Sequence, residues 1–278
     1  MRILYITFLL LTFFSTSFAQ ETVIKGQVLN AELGEPIPFS NVGIPAKKIG
    51  TATYEDGTFT LQLPAGTQKD TLLISAIGFK SKTILIADYL KKNSSKIYLS
   101  PKTYQMRSIT VTSQEVETEW IGKKIAPIIG GGGYSMASDY VAYGFKIEWN
   151  KKLPIQILYS RMYLRENKNV FPLKMRCRIV GVNPKTGEPG KNLTPEYAIV
   201  STDENKGWVT CNWPNKEVYI NKSSFFILFE WLPNRKKKWA PKFSEAFFFK
   251  SKVYLKNGIM DDWEIEPSDL IYSLKVAY

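Results

Sequence analysis

The side chains able to do chemistry are few, and one absence bounds the rest. The 278-residue chain contains no histidine. That removes Ser-His-Asp and Cys-His triads, histidine-ligated zinc and imidazole acid–base catalysis. An enzyme built on this sequence would rest on carboxylates, lysine or tyrosine. The densest carboxylate group, Asp261-Asp262 with Glu264 and Glu266, has the residue types for calcium binding or glycoside hydrolysis. Nothing in the sequence sets a second carboxylate opposite it, so the stretch reads as a charged turn. Gly130–Gly133 has the look of a phosphate-cradling loop, but Tyr134-Ser135-Met136 follows where Gly-Lys-Ser/Thr and a helix are needed. It reads as a linker or surface loop. Cys177 and Cys211 are the two cysteines. Both fall on apolar faces of expected strands, either as a disulfide, if their Cα atoms come within about 7 Å, or as two buried free thiols. Two cysteines without histidine make a poor metal site. No catalytic residue, cofactor or metal is expected.

Binding chemistry is better represented. The seven tryptophans are Trp120, Trp149, Trp208, Trp213, Trp231, Trp239 and Trp263. An exposed indole offers a flat apolar face to a sugar ring. Trp149, Trp213 and Trp231 alternate with polar residues or lie in apolar runs and are assigned to the core. Trp208, Trp239 and Trp263 stand at turns or beside charge and are the candidates for ligand contact. Arg235, Lys236, Lys237 and Lys238 run into Trp239, a basic cluster suited to an anionic glycan or membrane surface, or equally to a solvated hairpin tip. The formal net charge of +12 points the same way. For an exported chain it favours acidic glycans, wall polymers or anionic head groups over nucleic acid, with a lysine-rich solvated surface as the plainer explanation.

Export is read from the first residues. Met1-Arg2, an apolar run from Ile3 to Phe14 and the small-residue exit Ser15–Ala19 form a secretory signal with cleavage after Ala19. No cysteine follows to carry a lipid anchor, and no later run of about 18 apolar residues exists, so no transmembrane helix is expected. The expected location is the periplasm, the outer membrane surface or the exterior.

These side chains must be positioned by strands. Aromatics make up 14% of the chain, and no amphipathic helix of three turns is visible. The strongest local signal is Asp56-Gly57 between Gly50-Thr51 and the alternating Phe59, Leu61, Leu63, which predicts a hairpin. Strands are also expected near Val23–Val28, Phe39–Ile44, Asp70–Phe79, Thr83–Ile86, Lys96–Leu99 and Met106–Thr112, the spacing of a small antiparallel sandwich. Gly26, Pro36-Ile37-Pro38, Asn41-Val42, Gly50-Thr51, Asp56-Gly57-Thr58-Phe59 and Ser75-Ala76-Ile77-Gly78-Phe79 follow in order. In that combination the segment resembles the carboxypeptidase-like regulatory domain, a transthyretin-like sandwich found in many exported Bacteroidetes proteins. The resemblance implies a non-catalytic folding or interaction module and carries over no functional residue. Thr53-Tyr54-Glu55 departs from the family's usual Thr-Asp before the turn.

The remainder alternates again. Tyr143–Trp149, Leu173–Ile179, Val209–Trp213, Phe247–Phe249, Val253–Leu255 and Leu274–Val276 read as strands, and Phe225–Trp231 is apolar on both faces, as a central strand would be. About eight strands make a jelly-roll-like sandwich. The alternating end, Tyr272 to Tyr278, raises the alternative of a small outer-membrane barrel.

The expected organisation is all-β: a signal peptide at 1–19, an Ig/transthyretin-like sandwich at 20–113, a linker at 114–140 and a jelly-roll-like sandwich at 141–278. The expected function is non-enzymatic binding in the cell envelope, to an envelope protein or to a glycan or anionic polymer. The alternatives are a specific carbohydrate-binding protein and the small barrel.

Overall fold

A computed structural model describes residues 22–92, 95–103, 116–124, 133–134, 140–166, 172–195, 197–213, 218–232, 242–244, 252–268 and 270–278. Residues 1–19, 106–112, 235–239 and 247–249, on which several expectations rest, lie outside them.

The first unit contains β1 (Thr22–Asn30), β2 (Asn41–Ile44), β3 (Ile49–Ala52), β4 (Thr58–Leu63), β5 (Thr71–Ser75), β6 (Lys82–Leu85), the six-residue helix α1 (Ile86–Lys91) and β7 (Lys96–Leu99). They form a four-stranded sheet, β3-β2-β5-β6, and a three-stranded sheet, β4-β1-β7. The alternation of Phe59, Leu61 and Leu63 turns these side chains inward against Val42, Ile44, Leu72 and Ile74 of the facing sheet. The expected hairpin is corrected here. The Asp-Gly turn exists, with Gly57 at φ +71° and the Asp56 carboxylate accepting from the Thr58 amide at 3.1 Å. However, β3 and β4 belong to different sheets, so the turn carries the chain across the sandwich. Thr53 forces the crossing. It is buried, its hydroxyl donates to the Ile37 carbonyl and accepts from the Ser40 amide, and its own amide bonds the Ser40 carbonyl. The strand expected at 70–79 stops at Ser75, and Ile86 opens α1 instead of ending a strand.

The second unit contains β8 (Thr118–Gly122), β9 (Gly133–Tyr134), β10 (Val141–Glu148), β11 (Ile155–Glu166), β12 (Leu173–Val182), β13 (Pro189–Asn192), β14 (Ala198–Thr202), β15 (Gly207–Asn212), β16 (Tyr219–Ile220), β17 (Ser224–Trp231), β18 (Lys242–Ser244), β19 (Lys252–Lys256), β20 (Glu264–Pro267) and β21 (Tyr272–Ala277). One seven-stranded sheet runs β13-β12-β17-β10-β19-β20, with β14 also on β12. The other runs β8-β21-β11-β18-β9, with β15 and β16 also on β11. Phe225, Ile227 and Phe229 from one sheet meet Ile157, Met162 and Leu274 from the other in a shared core. This is a second β-sandwich of two open sheets among the described residues. It holds more strands than expected, among them β11 and the short Pro189–Asn192 and Glu264–Pro267. β8 lies within the stretch expected as linker and adds an edge strand beside β21. No described helix is long and apolar enough to cross a membrane.

Candidate functional site

The sequence candidates fall in different places. Trp239 and the cluster Arg235–Lys238 lie outside the described residues. Cys177 of β12 and Cys211 of β15 are bridged, with Cα atoms 6.4 Å apart, which ties the two sheets of the second sandwich through its core. Trp149, Trp213 and Trp231 are buried in that core. Trp263 packs between the two units, against Ala52, Tyr140, Ala142 and Ile259, with the Lys256 ammonium 5.6 Å from its ring. Trp208 is half-buried on the outer face of the second sheet.

That outer face is built by cross-strand register. Trp120, Lys275, Tyr159 and Asn212 stand in one row across β8, β21, β11 and β15. Ser273, Arg161 and Thr210 form the next row, and Tyr163 and Trp208 pair in the third. The Arg161 guanidinium lies 4.0 Å from the Trp208 ring and 4.3 Å from the Trp120 ring, so two indoles flank one cation. Its Nε donates to Ser273 Oγ at 2.7 Å and its Nη2 to the Lys124 carbonyl at 2.7 Å. Burial pushes this guanidinium below its usual range. Lys275 Nζ sits over both Trp120 and Tyr159, at 5.7 and 5.8 Å. Neither cation is paired with a carboxylate among the described residues. The chemistry of this face is anion attraction framed by aromatic rings.

A second concentration of charge lies on the far side of the other sheet, where the first unit covers it. The register sets Arg176, Glu230, Ala142 and Lys256 in one row across β12, β17, β10 and β19. Glu230 is fully buried and accepts from Arg176 Nε at 2.6 Å, from Arg178 Nε at 2.9 Å and Nη2 at 2.5 Å, and from the Tyr140 hydroxyl at 2.6 Å. Burial alone would raise its carboxyl, but the two guanidiniums and the hydrogen bonds from Arg178 and Tyr140 outweigh that and hold it down at about 2. The same burial, with the Glu230 charge beside it, pushes the Tyr140 phenol far above its ordinary range. Arg176 also donates to the Phe39 carbonyl of the first unit at 3.1 Å, where Phe39 holds a left-handed φ of +54°. The strand Leu173–Ile179 therefore does not have one wet face, as alternation suggested. Its charged face is roofed by the other sandwich. The signal for this network was available in part, since Glu230 is the lone charge in an apolar run and a lone buried acid needs partners.

Two glycines complete the contact. Gly43 and Gly50 face each other across β2 and β3. A Cβ on Gly50 would come 2.3 Å from Ile259 Cγ2, and one on Gly43 would come 2.6 Å from Met260 Cγ and 2.5 Å from the Ile49 carbonyl. They form a window into which the β19–β20 turn seats. Lys48 with Asp262 at 2.5 Å, and Lys174 with Glu55, close the rim. The family model of the CarboxypepD_reg-like domain matches residues 24–111. The N-terminal third is a CarboxypepD_reg-like domain. No curated protein matches the chain. In this CarboxypepD_reg-like domain the Gly50-Thr51 motif serves as a docking surface for the second sandwich, and the Asp56-Gly57 turn rests on β1, its Gly57 carbonyl accepting from the Val28 amide at 2.9 Å.

Proposed function

We propose that the chain is an exported, non-enzymatic binding protein of the cell envelope and that it holds an acidic glycan or similar anionic polymer on the outer face of β8, β21, β11 and β15. The observation that carries this reading is Arg161 held between Trp120 and Trp208 beside Lys275, two cations on one sheet face without a carboxylate partner among the described residues. Ring-flanked cations keep their charge available to an outside anion while the rings add apolar contact for a sugar. The chain's positive charge supports the same choice of partner. The secretory pattern of residues 1–19 supports export, and the absence of histidine is consistent with binding over catalysis.

The test is binding to polygalacturonate and to neutral dextran over a salt series. Binding to the acidic polymer should weaken as salt rises, and Lys275→Gln and Arg161→Gln should each weaken it about tenfold, the worth of one charge-assisted contact. Equal binding to both polymers, or no binding to either, refutes the assignment. Fractionation of the natural host tests the location.

A further inference from the structure

One end of the second sandwich, where β12 and β13 meet the start of β17, is shaped by an irregular pairing. Val180 faces Asn192 and Val182 faces Pro189, so two residues of β13, Gly190 and Lys191, stand opposite the single Gly181 of β12. A bulge of this kind bends its strand and re-aims a side chain. The fit requires glycine: a Cβ on Gly190 would lie 3.1 Å from both the Asn183 nitrogen and the Gly181 carbonyl oxygen. The turn beyond is held by the Asn183 amide donating to the Glu188 carbonyl and the Gly187 amide donating to the Asn183 carbonyl, each at 2.8 Å.

Between this hairpin and the β16–β17 turn lies a groove of about 760 Å³, a size typical of small-molecule sites. Its apolar wall is aliphatic, made by Val182, Pro184, Pro189 and Leu193, and no aromatic ring lines it among the described residues. Sugars stack on flat rings, whereas this wall suits a hydrocarbon chain. The neutral polar side chains of the wall already hold bonds within the protein. Asn183 Oδ1 accepts from the Lys185 amide at 3.0 Å, Asn192 Oδ1 accepts from Arg178 Nη1 at 2.8 Å, and Ser224 Oγ donates to Glu148 at 3.2 Å. The polar groups left to a ligand are the exposed ammoniums of Lys191 and Lys222, which form no ion pair among the described residues. Around the groove Lys146, Lys185, Lys191 and Lys222 stand against Glu148 and Glu188; Glu148 is paired with Lys146 at 2.7 Å, and Arg178 behind Asn192 is engaged by Glu230.

We propose that this groove binds a medium-chain fatty acid, its chain along Val182, Pro184, Pro189 and Leu193 and its carboxylate between Lys191 and Lys222. Burial of the chain drives binding, and the two ammoniums fix which end of the molecule carries the head group. Docking on an anionic bilayer takes a cluster of about 4–8 cations, so two lysines beside an aliphatic groove favour a single molecule over a membrane surface. The groove lies in the opposite sheet from Arg161 and stands independently of the polymer reading.

Isothermal titration of the full chain with hexanoate, octanoate, decanoate, octan-1-ol and octyltrimethylammonium tests this. The three acids should bind saturably, with affinity rising about two- to fourfold for each added methylene. Octyltrimethylammonium should bind at least about tenfold more weakly than octanoate. Lys191→Gln combined with Lys222→Gln changes two exposed side chains, so the fold is kept; it should weaken octanoate about tenfold and leave octan-1-ol unchanged. Absence of saturable binding, affinity that ignores chain length, equal binding of the anionic and cationic amphiphiles, or octanoate binding untouched by the double variant overturns the proposal. So does sedimentation with phosphatidylglycerol vesicles without binding of monomeric decanoate, which would assign the face to a membrane instead.

Discussion

Replacing Glu230 by glutamine keeps the shape of the side chain and removes its charge, leaving Arg176 and Arg178 buried without a counter-ion. Breaking one partner out of a buried ion pair costs about 3–5 kcal/mol. The carboxyl itself gives an independent figure. It is held at about 2 in the folded protein, against about 4.3 for an unfolded glutamate, a gap worth about 3 kcal/mol. The folded value is depressed, so this stability is fully present above the unfolded value and fades as pH falls through 4 toward 2. By pH 3 about half of it remains. Urea unfolding of both proteins, followed by tryptophan fluorescence at pH 7 and pH 3, reads both quantities. Glu230→Gln should lose about 3 kcal/mol at pH 7, or roughly 6–12 °C in melting temperature, and the gap should halve at pH 3. A loss under about 1 kcal/mol at pH 7, or a gap that does not change with pH, would refute the reasoning that a fully buried carboxylate holds Arg176 and Arg178 in place beneath the first sandwich.

Other expectations follow from single features. Gly43→Ala places a methyl against the Ile49 carbonyl and Met260, and overpacking of this kind should cost about 1–3 kcal/mol by urea unfolding and speed cleavage between the units by added protease. Gly57→Ala combines φ +71° with a Cβ only 2.6 Å from the Val28 carbonyl, so it should destabilise by at least about 1–2 kcal/mol in the same assay. Reducing the Cys177–Cys211 bridge, which spans 34 positions of sequence, should lower stability by about 2–4 kcal/mol, measured as paired melts with and without reductant; coincident melts would count against the cross-link.

Local chemistry made much of this legible in advance. Period-two alternation placed Tyr143–Trp149, Leu173–Ile179 and Val253–Leu255 as strands, and the two-faced apolar run Phe225–Trp231 became the strand between β12 and β10. What alternation cannot encode is which sheet a strand joins. Asp56-Gly57 specifies a turn, yet the decision to cross the sandwich is made by Thr53 bonding Ile37 and Ser40, residues distant in sequence. The aromatic–cation face was hidden for a related reason. Trp120, Tyr159, Arg161, Trp208 and Lys275 come from four strands and meet only through register. Trp263 looked exposed because it follows Asp261-Asp262, but it is half-buried against Ala52 of the first unit and Tyr140, Ala142 and Ile259 of the second.

The glycine window changes what kind of part the first sandwich is. Domains strung along a chain are commonly exchangeable, each carrying its own core and needing little from its neighbour. Here the second sandwich reaches in with Ile259 and Met260, and its Arg176 grips the carbonyl of Phe39 in a backbone conformation uncommon for a side-chain-bearing residue. Transplanted alone, residues 22–103 would expose Ala52 and the glycine face and lose the clamp on Phe39, while the remaining half would present Arg176, Arg178 and Glu230 to water. The two halves are thus a matched pair, and a side chain added at Gly50 in one meets Ile259 and Met260 of the other.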